Sequence, residues 1–176
     1  MEESTGEPGS ERPELKLEGR TWELPSDTKV QKQVRDELER RLVDAGWAEN
    51  DITNILLGAD EAVANAIVHG NLGIGGEQTY ADHAAFREAV GAAMKTELGK
   101  RQAHLTVDIE TDLVRLSVAD EGAGFDIEKL PDPRDEDMLL QQGGRGVFLM
   151  RSAFDIVGYN KAGNTVWLEK RREPTT

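Results

Sequence analysis

The chain has 176 residues, no cysteine and a formal net charge of -13 at pH 7. Its length suits one domain with a full hydrophobic core, and the lack of cysteine excludes disulfides, thiolate catalysis and cysteine-based zinc sites. The acidic surface opposes direct binding of nucleic acid or an anionic membrane, no apolar run could span a bilayer, and no secretion signal is visible, so we expect a cytoplasmic protein.

The first ordered elements are predicted to be a strand and an amphipathic helix. Residues 1–18 are rich in Glu, Gly, Pro and Ser, which predicts a flexible acidic tail. A short alternating strand follows over 20–24, and apolar residues recur at helical spacing over 30–42. We therefore expect the folded domain to occupy 19–172, with a short tail over 173–176.

The next helix, predicted over 50–69, carries polar and apolar residues on opposite sides. On a helical wheel, Glu61 and Asn65 share one side, and a set of apolar residues lies opposite them. These opposite residues are Ile52, Ile55, Leu56, Ala59, Val63, Ala66 and Ile67. Other apolar residues are mixed among the polar groups, which indicates that the polar side is covered as well. A helix placed between a core and a ligand would have this pattern.

The remaining elements predict an α+β fold. After a glycine-rich connection, they are in chain order a helix over 85–98, a hairpin of 104–109 with 113–119, a helix after Gly146, and a hairpin of 154–159 with 165–170. A long charged loop containing prolines separates the two halves over 126–142. Strands that arrive as hairpins favour a two-layer α/β sandwich, with one mostly antiparallel mixed sheet and helices on one face.

Glu61 and Asn65 are the first candidates for chemistry. At positions i and i+4 of a helix, their side chains meet on one face. A carboxylate can accept a proton or orient an attacking hydroxyl, and an amide oxygen is a neutral, hard ligand for Mg²⁺. Taken alone the pair is a weak signal, because an exposed Glu and a helix-face Asn are commonplace.

Two glycine-containing segments offer further ligand-binding positions. Asp120, Gly122 and Gly124 stand directly after an apolar strand, where glycine permits close backbone approach and a carboxylate can bind an exocyclic amine. Residues 143–146 precede an apolar helix, where free N–H groups and the charge of Arg145 favour an anion. A simple strand-to-loop turn and a flexible hinge with a helix cap explain the two segments equally well.

Together, in this order and spacing, these features resemble the GHKL (Bergerat-fold) ATPase superfamily. Within it, residues 60–70 look like the N-box of the anti-sigma-factor serine-protein kinases, the RsbW/SpoIIAB type. Further segments similar to that group are 120–126, 128–133, 144–152 and 164–170. The resemblance runs from about residue 20 to residue 172. It implies a histidine kinase-like ATP-binding domain whose ATP lid is the loop 126–142.

The resemblance also implies a role for each candidate residue in binding ATP and Mg²⁺. Glu61 would be the general base that accepts the proton of a serine hydroxyl on a protein partner, and Asn65 would hold Mg²⁺ against the phosphates. Asp120 would bind the adenine N6 amine, with Thr165 beside it. The adenine turn would be shaped by Gly122 and Gly124. The phosphates would be enclosed by Gly144, Arg145 and Gly146.

The implied function is a protein serine kinase that phosphorylates a STAS-type anti-sigma-factor antagonist, binds a sigma factor and forms a homodimer. Residues 72–101 exceed the link expected in that group, so a nucleotide-dependent binding module without kinase turnover is an alternative. The ATPase domain of a two-component histidine kinase is another, although His69, His83 and His104 lie inside or after the N-box. His69 could orient a neighbouring side chain or have a structural role alone.

Overall fold

A computed structural model describes residues 15–75, 80–130 and 145–173. The described chain forms five strands and four α-helices. In chain order they are β1 (Thr21–Pro25), α1 (Val30–Asp44), α2 (Glu49–Ala64), α3 (His83–Met94), β2 (Gln102–Ile109), β3 (Leu113–Ala119), α4 (Arg145–Ala153), β4 (Ile156–Tyr159) and β5 (Thr165–Arg171).

The five strands form one sheet in the order β1-β2-β3-β5-β4. Each neighbouring pair is antiparallel. The predicted α+β class is confirmed, and the sheet is antiparallel throughout its described strands rather than mixed. The two predicted hairpins are both present, as β2 with β3 and as β4 with β5.

One face of the sheet is covered by the helices and the other is open. Alternate residues of the central strands are buried, among them Leu105 on β2 and Leu116 on β3. The period of two along each strand places their neighbours on the opposite face. There Trp167 on β5 is 43% exposed, whereas Leu168 beside it is buried. The result is the predicted two-layer sandwich.

Helix α1 packs its apolar stripe on the core, as the sequence predicts. Its buried residues are Val30, Val34, Leu38 and Leu42. The Arg41 guanidinium donates hydrogen bonds to the carbonyl oxygens of Leu17 and Gly19, at 2.8 Å each. Leu15 and Leu17 also pack against the core. This end of the predicted tail therefore runs along α1, while residues 1–14 lie outside the described part.

Helix α2 has the two sides that the helical wheel predicts. All seven residues expected opposite Glu61 are buried in the core, namely Ile52, Ile55, Leu56, Ala59, Val63, Ala66 and Ile67. The expected cap at 50–51 is wrong, because the N-cap residue is Ala48 and makes no side-chain hydrogen bond. From Asn65 to Asn71 the helix continues as a wider π-helical turn. That turn brings the end of the helix to the sheet.

The insertion predicted over 72–101 contains a shorter helix than its apolar pattern indicates. Helix α3 begins after Asp82, whose carboxylate accepts a hydrogen bond from the Ala85 N–H at 2.8 Å, and it ends at Met94. A single turn of 3₁₀-helix, Glu97–Lys100, then leads into β2. Within α3 only Val90 is buried, while Phe86, Ala89, Ala93 and Met94 are partly buried and pack against the core. The helix therefore lies on the core with one side.

Candidate functional site

The first part of the site is the polar side of α2, where Glu61 and Asn65 lie one turn apart. Both side chains are partly buried. Asn65 directly follows Ala64, the last residue of the regular α-helix, and is the first residue of the π-helical turn. Because the other side of α2 is fixed in the core, the helix holds these two polar groups towards the remaining elements of the site.

The start of α4 lies directly on this pair. An ideal β-carbon at Gly146 would be 2.8 Å from Oε2 of Glu61 and 3.4 Å from Nδ2 of Asn65. A side chain at position 146 would therefore occupy the space next to the carboxylate. The structure brings together Glu61, Asn65 and one glycine of the second predicted segment, as the sequence argument requires.

A second glycine explains how α4 comes so close to α2. A β-carbon at Gly58 would be 2.6 Å from the Phe154 ring and 3.0 Å from the β-carbon of Ala153. Gly58 and Phe154 are both buried. The two helices therefore pack at a distance that only a residue without a side chain permits, one turn before Glu61.

The second part of the site is the turn after β3. The Asp120 N–H donates to the Asn164 carbonyl at 2.9 Å, and the Asp120 carboxylate accepts a hydrogen bond from the Gly122 N–H at 2.8 Å. Burial raises the pKa of the Asp120 carboxyl, while the Gly122 N–H and the charge of Arg101 act in the opposite direction. The carboxylate is thus held in place by the backbone that follows it.

Thr165 lies next to this turn, as expected. It is paired with Ala119, the last residue of β3, across the sheet. The Asn160 side chain accepts a hydrogen bond from the Thr165 N–H at 3.2 Å and donates one to its hydroxyl at 3.3 Å. Asn160 therefore fixes the threonine opposite Ala119, the residue before Asp120.

The fold requires a glycine at position 124, independently of any ligand. Its φ of +72° is in the left-handed region, and a β-carbon there would be 1.9 Å from the carbonyl oxygen of Ala162 in the β4–β5 turn. Phe125 then contacts the Tyr159 ring edge-on, with 5.2 Å between centroids. The turn after β3 is consequently packed against the β4–β5 turn.

The π-helical turn joins the two parts of the site. Its first residue is Asn65, and near its end Gly70 lies against Asp120, where a β-carbon would be 2.3 Å from the carboxyl carbon. A β-carbon at Gly122 would in turn be 2.3 Å from the Gly70 carbonyl oxygen. One turn of backbone therefore links the Glu61 end of the site to the Asp120 end.

Asn71 is a site residue that the sequence argument missed, since it was assigned to the glycine-rich connection. Its side chain is fully buried, and its amide oxygen accepts a hydrogen bond from the Glu121 N–H at 2.8 Å. The Arg101 guanidinium donates to the Asn71 carbonyl at 3.0 Å. The sequence offered one signal for it, a single Asn directly after the N-box residues 60–70.

Three predicted features are placed differently or fall outside the described chain. His69 forms a hydrogen bond through Nδ1 with the Ile74 carbonyl, which requires that nitrogen to carry the proton and supports the structural alternative for this residue. Residues 131–142 of the lid, together with Gly143 and Gly144, lie outside the described residues. Arg145 begins α4, but its side chain also lies outside them.

The chemistry of the described groups fits a magnesium-bound nucleotide. Mg²⁺ takes one or two protein oxygens and completes its shell with water and phosphate oxygens, so the Asn65 amide oxygen beside the α4 start is a suitable ligand. In the described ranges there is no group of three or more His, Asp or Glu side chains able to hold a metal ion. Asp120 offers a fixed carboxylate to a base amine, and Glu61 offers a proton acceptor.

A comparison with protein families identifies the domain that carries this site. Residues 24–170 match a family model described as a histidine kinase-like ATPase domain. No protein of curated function matches the chain at a significant level. No helix within the described residues is long and apolar enough to cross a membrane.

Proposed function

The chain belongs to the histidine kinase-like ATPase domain family, and from this premise we propose that it is an ATP-dependent protein serine kinase and anti-sigma factor. Family membership implies that it binds ATP. We further propose that it phosphorylates a STAS-type antagonist, binds a sigma factor, and acts as a homodimer. These finer assignments rest on the N-box resemblance of residues 60–70 together with the geometry around Glu61.

The observation that carries the kinase proposal is the position of Glu61 next to the start of α4. Free N–H groups at a helix start favour phosphate. The Glu61 carboxylate lies next to Gly146 at the start of α4, and Asn65 lies close to the same glycine. A proton acceptor beside a phosphate-binding position is the arrangement that phosphoryl transfer to a hydroxyl needs. A module that only binds ATP has no need of it.

In the proposed reaction, a serine oxygen of the partner attacks the γ-phosphorus of ATP. The new serine O–P bond forms as the bond from the γ-phosphorus to the β,γ-bridging oxygen breaks, and ADP leaves with the electron pair. Glu61 accepts the serine proton. Asn65 would hold Mg²⁺, which would neutralise the phosphate charge when bound.

Adenine recognition is assigned to the turn after β3. The Asp120 carboxylate would accept a hydrogen bond from the exocyclic amine, and Thr165 would contribute its hydroxyl beside it. Support comes from the pairing of Thr165 with Ala119, the residue before Asp120, and from the hydrogen bonds that fix Asp120 and Thr165. Gly122 and Gly124 shape this turn, while Gly144, Arg145 and Gly146 would close on the phosphates.

A protein, rather than a small molecule, is favoured as the phosphate acceptor. Leu57 lies one turn before Glu61 on the same side of α2 and is 42% exposed. An exposed apolar side chain beside the proposed base offers a contact for a protein surface. This supports a protein substrate and is consistent with the proposed STAS-type antagonist.

The experiment is a transfer assay with γ-labelled ATP and the cognate antagonist. The unaltered chain should label the antagonist, and Glu61→Gln should abolish labelling while it keeps ATP binding. Glu49→Gln, an exposed acid at the start of the same helix, is the matched control and should transfer normally. Full transfer by Glu61→Gln would remove the base from the proposal, and ATP binding without any labelled protein would favour the binding-module alternative.

A further inference from the structure

The hydrogen bond between Asn71 and Glu121 connects the end of the π-helical turn to the residue that follows Asp120. Asn71 is fully buried, so its side chain has little freedom to move. Its amide oxygen accepts the Glu121 N–H at 2.8 Å. Since Glu121 is bonded directly to Asp120, this contact restricts where the Asp120 carboxylate can lie.

Four further contacts hold this region around Asp120. The backbone of Gly70 lies against the Asp120 carboxyl group and against Gly122, with no space for a β-carbon at either glycine. The Arg101 guanidinium binds the Asn71 carbonyl at 3.0 Å. The π-helical turn thus holds Asp120 on one side, and the Gly122 N–H holds it within the turn after β3.

The π-helical turn also connects Asn71 to Asn65, at the Glu61 end of the site. Asn65 and Asn71 are its first and last residues, and the Leu72 N–H bonds to the Ile67 carbonyl, five residues earlier, at 2.9 Å. Such wide turns are rare and occur often at functional sites. The position of Asn71 relative to Asn65 is therefore set by a single turn of backbone.

The Asn71 amide has one hydrogen-bonded atom and one atom without a partner. Its Nδ2 atom is buried and makes no hydrogen bond within the described structure. A buried unpaired donor is unfavourable, and a leucine of similar volume would avoid it. The contact made by the amide oxygen to Glu121 is the feature that a leucine could not replace.

We propose that Asn71 is a positioning residue that sets the base selectivity of the nucleotide site, by fixing the Asp120 turn against the π-helical turn. The inference rests on the proposed binding of ATP with Asp120 at the adenine amine. Adenine presents an N–H donor at its C6 position, whereas guanine presents a carbonyl oxygen. A carboxylate held in one place accepts the first and repels the second, and a site built for a hydrogen bond rejects a base that cannot make it.

The test measures the dissociation constants of ATP and GTP for the unaltered chain and for variants at position 71. Asn71→Ala removes the acceptor and should weaken ATP binding by roughly fivefold to tenfold, the effect of one hydrogen bond, while it changes GTP binding less. The ATP/GTP preference should therefore fall. Asn71→Leu fills the buried volume without the hydrogen bond, so it keeps the test available if the alanine variant does not fold. It should also lose preference.

Two controls separate positioning from general loss of stability. Asn71→Asp keeps an oxygen that can accept the Glu121 N–H, and it should retain the preference for ATP even if the protein unfolds at a lower temperature. Trp47→Phe removes a bond of the same type, from Trp47 Nε1 to the Glu110 carbonyl at 2.8 Å, in the turn at the opposite end of β3. It should lower the unfolding temperature and leave the ATP/GTP preference unchanged.

The outcomes distinguish this inference from the proposed function. If the unaltered chain binds no ATP, the proposed function itself is wrong. If the unaltered chain binds ATP and the alanine and leucine variants keep its preference, Asn71 has no positioning role and only this inference fails. Equal affinity of the unaltered chain for ATP and GTP would also overturn it.

Discussion

Gly146 at the start of α4 leaves the space that the Glu61 carboxylate occupies, since a β-carbon there would be 2.8 Å from Oε2. The substitution Gly146→Ala should displace the flexible end of Glu61 and leave the fold intact. Displacement of a catalytic group by about 1 Å can reduce a rate by about a hundredfold. We expect a loss of phosphoryl transfer of about tenfold to a hundredfold with little change in unfolding temperature.

A matched control for this prediction is Gly91→Ala on α3, where a β-carbon has no neighbour within 4 Å. Alanine in a helix interior is more favourable than glycine by about 1 kcal/mol. This variant should therefore be slightly more stable and transfer phosphate normally. Equal transfer by the two variants would contradict the role assigned to position 146.

Gly58→Ala tests the close packing of α2 and α4 instead of the chemistry. The new β-carbon would be 2.6 Å from the buried Phe154 ring, which cannot move as freely as the end of a charged side chain. Overpacking costs about 1–3 kcal/mol, more than alanine gains in the helix. We expect a lower free energy of unfolding in urea titrations. A stability equal to that of Gly91→Ala would show that the contact is not limiting.

Gly70→Ala should affect ATP binding more than stability. A β-carbon there would be 2.3 Å from the Asp120 carboxyl carbon, so the carboxylate must move away. Loss of its hydrogen bond to the base should weaken ATP binding by about tenfold, measured by equilibrium titration. Unaltered affinity for ATP would place adenine elsewhere.

Glu37 on α1 should make stability depend on pH in acid. Hydrogen bonds from Arg40, then Arg41, lower its pKa from 4.5 to about 2 in the folded chain. A lowered pKa contributes stability that is complete above pH 4.5 and is lost as pH falls towards 2. Because Arg40 is largely exposed, solvent screening limits this contribution to about 1 kcal/mol.

The expected result is that Glu37→Gln lowers the free energy of unfolding by about 1 kcal/mol at pH 7 and by less at pH 3. Urea unfolding at both pH values measures the difference. Glu39→Gln, at an exposed position on the same helix, serves as the control. An equal loss for Glu37→Gln at the two pH values would contradict the charge-based explanation.

The side of α2 that carries Glu61 and Asn65 could be predicted from the sequence because it is a local property. Apolar residues at helical spacing fixed which side enters the core, and the polar pair had to lie opposite. The strands were predictable for the same reason, from alternation and turn residues. The helix cap was less predictable, because residues 50–51 are of types that cap helices but lie inside a helix that begins at Glu49.

The contacts across the site could not be predicted in this way. The approach of Gly146 to Glu61 depends on the fit of Gly58 against Phe154, which joins residues far apart in sequence. A π-helical turn has no hydrophobic period that separates it from the α-helix before it. Asn71 was missed for that reason, because an amide near glycines is typical of a loop.

Titration of ATP with and without Mg²⁺ tests most directly whether Asn65 and Asp120 belong to one nucleotide site. The unaltered chain should bind one ATP more tightly with Mg²⁺, Asn65→Ala should lose most of that Mg²⁺ dependence, and Asp120→Ala should lose binding in both conditions. Asn54→Ala, at an exposed position on the same helix, should bind as the unaltered chain does. ATP affinity that is unchanged in both site variants would contradict the site described here.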